Sequence, residues 1–267
     1  MDPIHYAERF LIALLGRVQD LSRRTRPTDE RRVEDSHAFW NDEARSDLKT
    51  IMHWRGEGPF RDDQFWLDLG RRHLSMLKRA GEWADISFPV EAIVEWGCGG
   101  GMNAVHFARE ASVYYGVDVN ERSLEECVRQ VDAGAQATGS CIPVLIEAGE
   151  PESVFERIDG PCDLFFSSYV FEVFPSPGYG LRVLRVAHDL LRPGGVALIQ
   201  VRYHSGARAV SGDRLAYARN WLSNTSYTIE GLWTSSQEIG FEPLYVTLVP
   251  LQPELDESRY AYFALKR

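Results

Sequence analysis

Residues Glu95-Trp96-Gly97-Cys98-Gly99-Gly100-Gly101 place four glycines behind an apolar run, Ile93-Val94, and ahead of a helical pattern over Met102–Glu110. Glycines at a strand's carboxyl end accept positive φ and let a ligand lie against bare main chain, which is how nucleotide-like cofactors are held. The following apolar run, Val113–Asp118, closes on an acid, and a carboxylate there can accept hydrogen bonds from both ribose hydroxyls of an adenosine. Read as Gly99-x-Gly101-x-x-Ala104, the loop also satisfies the dinucleotide fingerprint. Three features turn the reading away from NAD. Glu95 stands just before the first glycine, Leu191-Arg192-Pro193-Gly194-Gly195 precedes a later apolar run, and the chain finishes with a strand pair instead of a second mononucleotide-binding half.

The elements that must position these residues can be read from periodicity. Residues 1–85 carry helical patterns only: an amphipathic stripe over residues 4–24, a second helix from near Ser36 through Phe39 and Trp40, and a third from Asp62 to Arg79. From Pro89 the texture changes to short apolar runs alternating with helical segments. The runs are Ala92–Glu95, Val113–Asp118, Pro143–Glu147, Asp163–Ser168 and Val196–Val201, with helices expected over Met102–Glu110, Ser123–Ala135 and Leu181–Leu191. Such alternation predicts a parallel sheet covered by helices on both faces. Phe241–Val249 and Arg259–Leu265 have no helical pattern between them and predict an antiparallel hairpin.

With these motifs in order, the sequence resembles the class I S-adenosylmethionine-dependent methyltransferases from about Val90 to the C-terminus. The residues that carry the resemblance are Glu95–Gly101 at the first strand, Asp118 at the end of the second, and Leu191–Gly195 leading into the fifth. It implies an α/β fold: a doubly wound, seven-stranded, mostly parallel Rossmann-like sheet whose last strand runs antiparallel, here with an N-terminal helical cap. The expected division is a cap over residues 1–85 and a cofactor-binding domain over residues 86–267. It also implies S-adenosylmethionine as cofactor, with Glu95 near the methionine amino group and Gly97, Cys98, Gly99 and Gly101 against the methionine and ribose. Asp118 would hold the ribose hydroxyls, Val119 cover an adenine face, and Ser167 line the cofactor after the fourth strand. Glu147 and Glu150 compete to face the adenine amino group, and Glu147, directly behind Val144-Leu145-Ile146, is preferred.

Methyl transfer from a sulfonium is an in-line displacement, so the acceptor must be aligned and a hydroxyl acceptor must lose a proton; alignment alone supplies about 7–11 kcal/mol. The candidates follow the fourth and fifth strands. Ser167–Pro175 lacks the Asn/Asp-Pro-Pro-Tyr/Phe motif of family members that methylate amino groups of DNA bases or protein glutamine. Its Val170-Phe171-Glu172-Val173 resembles the Val-Leu-Glu-His-like run of small-molecule members with valine in place of histidine. His204, in Arg202-Tyr203-His204-Ser205-Gly206, is therefore the first choice for acceptor contact or general base, with Tyr203 and Glu172 beside it. His37 and His53, among Phe39, Trp40 and Trp54, are candidates for an acceptor lid. Glu172 is the sole acid on its loop, so an octahedral metal site is not expected.

The chain has 267 residues, 44% of them hydrophobic, and a formal net charge of −10. That acidity disfavours a nucleic-acid partner. The arginines within Arg17–Arg32 are interrupted by Asp20, Asp29 and Glu30 and read as a solvated face. Apolar runs such as Phe10–Gly16 fall short of a membrane span, and the N-terminal stretch lacks a signal peptide's basic region. The cysteines, Cys98, Cys127, Cys141 and Cys162, have no metal-ligand spacing and are expected to be reduced, in keeping with a cytoplasmic location. The expected activity is metal-independent methylation of a small-molecule acceptor, at a hydroxyl of a sugar or secondary metabolite. The alternatives are a protein or RNA acceptor contacted by the arginine run, or a non-catalytic scaffold.

Overall fold

Apolar runs broken by turn residues build the sheet. The computed structural model describes residues 28–134, 139–204, 225–249 and 259–267. The helix expected over residues 4–24, most of the arginine run and the Ser205-Gly206 loop lie outside the described residues. The strands are β1 (Val90–Trp96), β2 (Ala111–Asp118), β3 (Ser140–Leu145), β4 (Cys162–Ser167), β5 (Leu191–Arg202), β6 (Glu242–Val249) and β7 (Tyr260–Lys266). They form one sheet in the order β3-β2-β1-β4-β5-β7-β6. The first five pair in parallel, and β7 runs antiparallel between β5 and β6. This is the doubly wound α/β arrangement, with the terminal hairpin in place.

Both sheet faces are buried, so the central strands read as nearly continuous apolar runs whose side chains alternate between two cores. Val94, Phe165, Ile199 and Phe263 enter one core. Their neighbours Ile93, Phe166, Leu198 and Tyr262 enter the other.

The helices are α1 (Asp29–Trp40), α2 (Leu48–Ile51), α3 (Asp63–Glu82), α4 (Ala104–Phe107), α5 (Glu121–Ala133), α6 (Pro177–Leu190) and α7 (Ile229–Ile239). Helix α1 begins earlier than Ser36 because Thr28 caps it, accepting from the Arg31 N–H, with Asp29 and Glu30 in its first turn. In α3 the stripe Trp66, Leu69, His73, Leu77 and Ala80 is buried, and Trp66 and Leu77 share a core with Ile93, Phe166 and Tyr262. Part of the stretch expected to be a cap thus forms a covering layer of the sheet itself. The helix expected over Met102–Glu110 is a single turn, α4. Helix α3 crosses it closely: a Cβ at Gly70 would lie 2.3 Å from the Met102 carbonyl oxygen, and the His106 ring nitrogen meets the Leu67 carbonyl at 2.9 Å. Helix α7, between β5 and β6, was not anticipated from the sequence pattern. Among the described residues no helix is long and apolar enough to cross a membrane.

Strand order reverses between β1 and β4, and a crevice opens beyond the carboxyl ends of these strands, where ligands bind in open α/β sheets.

Candidate active site

The crevice is a cavity walled by the ends of β1, β2 and β4 and by the α1–α2 region. Its floor is the glycine loop. Gly97 and Gly99 have φ of 74° and 50°. A Cβ on Gly97 would lie 2.3 Å from Val170 Cγ2, and one on Gly99 2.5 Å from the Met52 carbonyl oxygen. Only glycine satisfies both the conformation and the space at these positions.

Asp118 secures this loop. Its Oδ2 accepts from the Gly99 N–H at 2.9 Å, and its Oδ1 from the Val119 and Asn120 N–H groups at 2.8 and 3.1 Å. The Gly97 and Cys98 N–H groups add bonds to the Val117 carbonyl. Burial raises the Asp118 pKa while its three N–H donors oppose the shift. A carboxylate has about four acceptor positions, so one remains for a ligand on the cavity side.

Glu95 heads a buried polar chain. Asn103 Nδ2 donates to its Oε1 at 2.6 Å and the Tyr114 hydroxyl to its Oε2 at 2.5 Å. Asn103 Oδ1 lies 2.8 Å from His73 Nδ1, and His73 Nε2 lies 2.9 Å from the Tyr262 hydroxyl. With Asn103 oriented toward Glu95, His73 donates from Nδ1 and accepts the tyrosine proton at Nε2, so both ring nitrogens of His73 are satisfied. Burial holds His73 down, to about 4, and so keeps it neutral. Burial pushes Glu95 up to about 8, with the Asp118 charge adding to the shift. A buried carboxyl so displaced is complementary to a cation brought into the cavity.

The roof comes from the α1–α2 region. Asn120 Nδ2 donates to the Trp40 carbonyl at 2.8 Å, Asn41 Nδ2 to the Val119 carbonyl at 3.2 Å, and Trp54 Nε1 to Ser123 Oγ at 3.2 Å. These bonds clamp the roof to the β2–α5 corner. Trp40, Met52 and His53 enter the cavity from the roof, and Tyr169, Val173 and Phe174 from the segment after β4. The cavity thus has a polar end, at Glu95 and Asp118, and an aromatic end.

The residues singled out from the sequence do not all meet in the cavity. Glu95, Gly97, Cys98, Gly99, Asp118 and Val119 line the cavity together. Gly101, at φ 84°, packs behind the loop against Cys127. Ser167 is buried and donates to the Trp96 carbonyl at 3.0 Å, and its neighbour Ser168 lines the cavity instead. Glu147 is exposed, while Ile146 and Ala148 line the cavity; side chains alternate along an extended segment, so adjacent residues face opposite ways. His204 and Tyr203 lie past the end of β5 beside Tyr227, outside the described lining. The Tyr227 carbonyl accepts the His204 N–H, and His204 Nδ1 is buried with no partner among the described residues. Glu172 is buried near Tyr227, whose hydroxyl its charge holds above the ordinary value after burial has raised it. His37 makes a bond to Asn41 through its carbonyl, whereas His53 reaches the cavity. Among the described residues no group of three or more His, Cys, Asp or Glu is arranged to hold a metal ion.

Sequence reasoning missed Asn103, Tyr114, His73 and Tyr262. A signal existed for His73: it falls on the apolar stripe of α3, where an imidazole must find buried partners.

Residues 65–245 match the family model described as a methyltransferase domain. No curated protein matches the chain. Among solved structures, the magnesium protoporphyrin IX methyltransferase of Synechocystis PCC 6803 with bound SAH superposes with a TM-score of 0.58 at 13% identity, covering 86% of this chain and 98% of that one. An S-adenosylmethionine-dependent methyltransferase of Clostridium acetobutylicum ATCC 824 gives 0.56 at 9% identity, covering 73% and 91%. The 1,6-didemethyltoxoflavin-N1-methyltransferase of Burkholderia thailandensis gives 0.55 at 17% identity, covering 79% and 84%.

Proposed function

This chain belongs to the methyltransferase-domain family, with the class I S-adenosylmethionine-dependent architecture, and we propose that it methylates a hydroxyl group of a small organic acceptor without a metal. The observation that carries the reading is the division of one cavity into a polar end with two buried carboxyls and an aromatic end under a clamped roof. The polar end fits S-adenosylmethionine. A glycine cradle that a Cβ would fill takes its body, Glu95 meets the methionine ammonium, and the remaining acceptor position of Asp118 takes a ribose hydroxyl. Val119 and Ile146 offer apolar cover to the adenine.

The cofactor supplies an electrophilic methyl group on a sulfonium. The protein's part is alignment, exclusion of water and removal of the acceptor's proton. Trp40 and Phe174 supply flat apolar walls that orient an acceptor, and the roof bonds to Val119 and Asn120 keep that end dry. A roof tied to the sheet corner favours a small acceptor over a macromolecular one. The acceptors named for two of the structural neighbours, magnesium protoporphyrin IX and 1,6-didemethyltoxoflavin, are small molecules, in keeping with this. The four thiols are free, in keeping with the reducing cytoplasm that we propose as its compartment.

Calorimetric titration with S-adenosylmethionine, S-adenosylhomocysteine and NAD tests the reading. Micromolar binding of the first two and none of NAD is expected. Absence of heat with all three would favour a scaffold role instead. An acceptor screen repeated with a chelator should give the same rates, and loss of activity would overturn metal independence.

A further inference from the structure

Three non-glycine residues among those described adopt positive φ, and two of them, His53 at 57° and Tyr169 at 59°, line the cavity with their ring centroids 5.0 Å apart. Residues held in this region are strained and persist where surrounding structure over-determines them. That condition is met at both. The His53 N–H donates to the Thr50 carbonyl at 3.1 Å, its carbonyl accepts from Trp66 Nε1 at 2.8 Å, and the carbonyl just before it accepts from the Gly100 N–H at 2.9 Å. The Tyr169 N–H donates to Gln200 Oε1 at 2.6 Å.

The His53 ring lies between Phe60, at 4.8 Å between centroids, and Tyr169, with no hydrogen-bond partner among the described residues. An imidazole fixed so firmly and left unpartnered in a cavity wall has its lone pair available to a ligand. Burial, with His73 nearby, holds its pKa down at about 4, so at neutral pH it is the free base. Resting on the methyltransferase reading above, we propose that His53 accepts the proton from the acceptor hydroxyl, and that the acceptor is an uncharged phenol or similar aromatic alcohol lying against Tyr169. The acceptor class follows from the wall: its described residues include no lysine or arginine, so a carboxylate or phosphate would lose hydration without gaining a partner.

The charge balance suits a half-buried base in a cavity wall. As the acceptor's O–H bond breaks, its proton passes to an imidazole nitrogen, and the oxygen forms its bond to the methyl carbon. The electron pair of the broken C–S bond stays on sulfur. One positive charge leaves sulfur and one appears on imidazole, so the cavity carries the same net charge before and after, and the burial that disfavours imidazolium equally disfavours the sulfonium.

The test compares methyl 4-hydroxybenzoate, 4-hydroxybenzoate and methyl glucoside as acceptor probes, reading methyl ether formation by mass spectrometry. The His53→Asn variant is used because asparagine tolerates left-handed φ. The ester is expected to be methylated with kcat/KM at least about tenfold above the other two, and His53→Asn to lower kcat about a hundredfold or more with the Kd for S-adenosylmethionine within about threefold. In the unmutated chain with ring-labelled histidine and bound S-adenosylhomocysteine, the His53 resonance should move with the ester only, a readout independent of how the variant folds. Unchanged turnover in His53→Asn, preference for the carboxylate or the glucoside, or a His53 resonance unmoved by all three probes would overturn the proposal. Failure of S-adenosylmethionine to bind the unmutated chain would instead overturn the methyltransferase reading.

Discussion

The two ends of the cavity are held by different forces. At the polar end, where we propose the cofactor binds, main chain and carboxyl groups do the holding: the Gly99, Val119 and Asn120 N–H groups converge on Asp118, and Glu95 is fixed by Asn103 and Tyr114. At the aromatic end, where we propose the acceptor lies, ring contacts dominate: Tyr169 meets His53 edge-on at 5.0 Å and Tyr260 at 5.7 Å. Directional bonds to backbone allow little substitution, because one lost partner leaves the others buried and unsatisfied. Ring packing is graded, and its losses scale with area. Substitutions at the first end should therefore act as near-complete losses of cofactor binding, and at the second as shifts in acceptor preference.

The largest effect is expected from Gly99→Ala, whose Cβ meets the Met52 carbonyl at 2.5 Å in a left-handed conformation. Cofactor affinity measured by calorimetry should fall more than about a hundredfold, or about 3 kcal/mol. Asp118→Ala comes next, with a loss of about ten- to hundredfold. Because three N–H groups lose their acceptor, the melting temperature of the cofactor-free protein should fall too. A variant that loses affinity alone would show that Asp118 serves the ligand and not the loop.

The pH response sharpens the same contrast. Glu95 sits at about 8 against an ordinary 4.5, so between those values the folded protein keeps a proton that the unfolded chain has released, and stability falls as pH rises. His53 and His73 sit at about 4 against an ordinary 6.5, so below 6.5 the unfolded chain takes up protons that the folded protein refuses, and stability falls as pH drops. The free energy of unfolding, followed by denaturant titration, should peak near the ordinary histidine value and decline on the alkaline side by about 1–2 kcal/mol up to the Glu95 value. In Glu95→Gln the alkaline decline should flatten and the acid limb steepen, because Glu95 opposes the two histidines wherever their windows overlap. At the aromatic end, Trp40→Ala is expected to raise the acceptor KM about tenfold, near 1.4 kcal/mol, with cofactor Kd within about threefold. An equal effect on both constants would erase the distinction between the ends. Glu147→Gln, on an exposed side chain, should change cofactor affinity by less than about twofold, the size expected of surface substitutions.

The same contrast explains how much the sequence disclosed. The positions of the glycine loop and Asp118 at strand ends were legible because the loop directly follows one apolar run and the acid closes the next, and the sheet because its buried runs are bounded by turn residues. Glu147 was a matter of parity: an extended segment presents adjacent residues to opposite sides, and the pattern Val144-Leu145-Ile146 does not say which side holds the cavity. The single turn of α4 depended on Gly70, far away in the chain, admitting the Met102 carbonyl. The chain from Tyr114 through Glu95, Asn103 and His73 to Tyr262 joins five separate segments, and no local pattern links them. His53 was visible only as one member of an aromatic group, because its distinction is a backbone angle.

The bond from the Gly100 N–H to the Met52 carbonyl sets a ruler between the two ends. That carbonyl belongs to the peptide unit leading into His53, so the imidazole is indexed to the cofactor loop by one link and not by the length or sequence of the roof ahead of it. A change at Trp40, which lines the cavity, can redraw the proposed acceptor pocket without moving His53, whereas an added residue between Met52 and His53 would put it out of register. On the proposed roles, the acceptor walls can vary while the spacing between this imidazole and the glycine loop is kept.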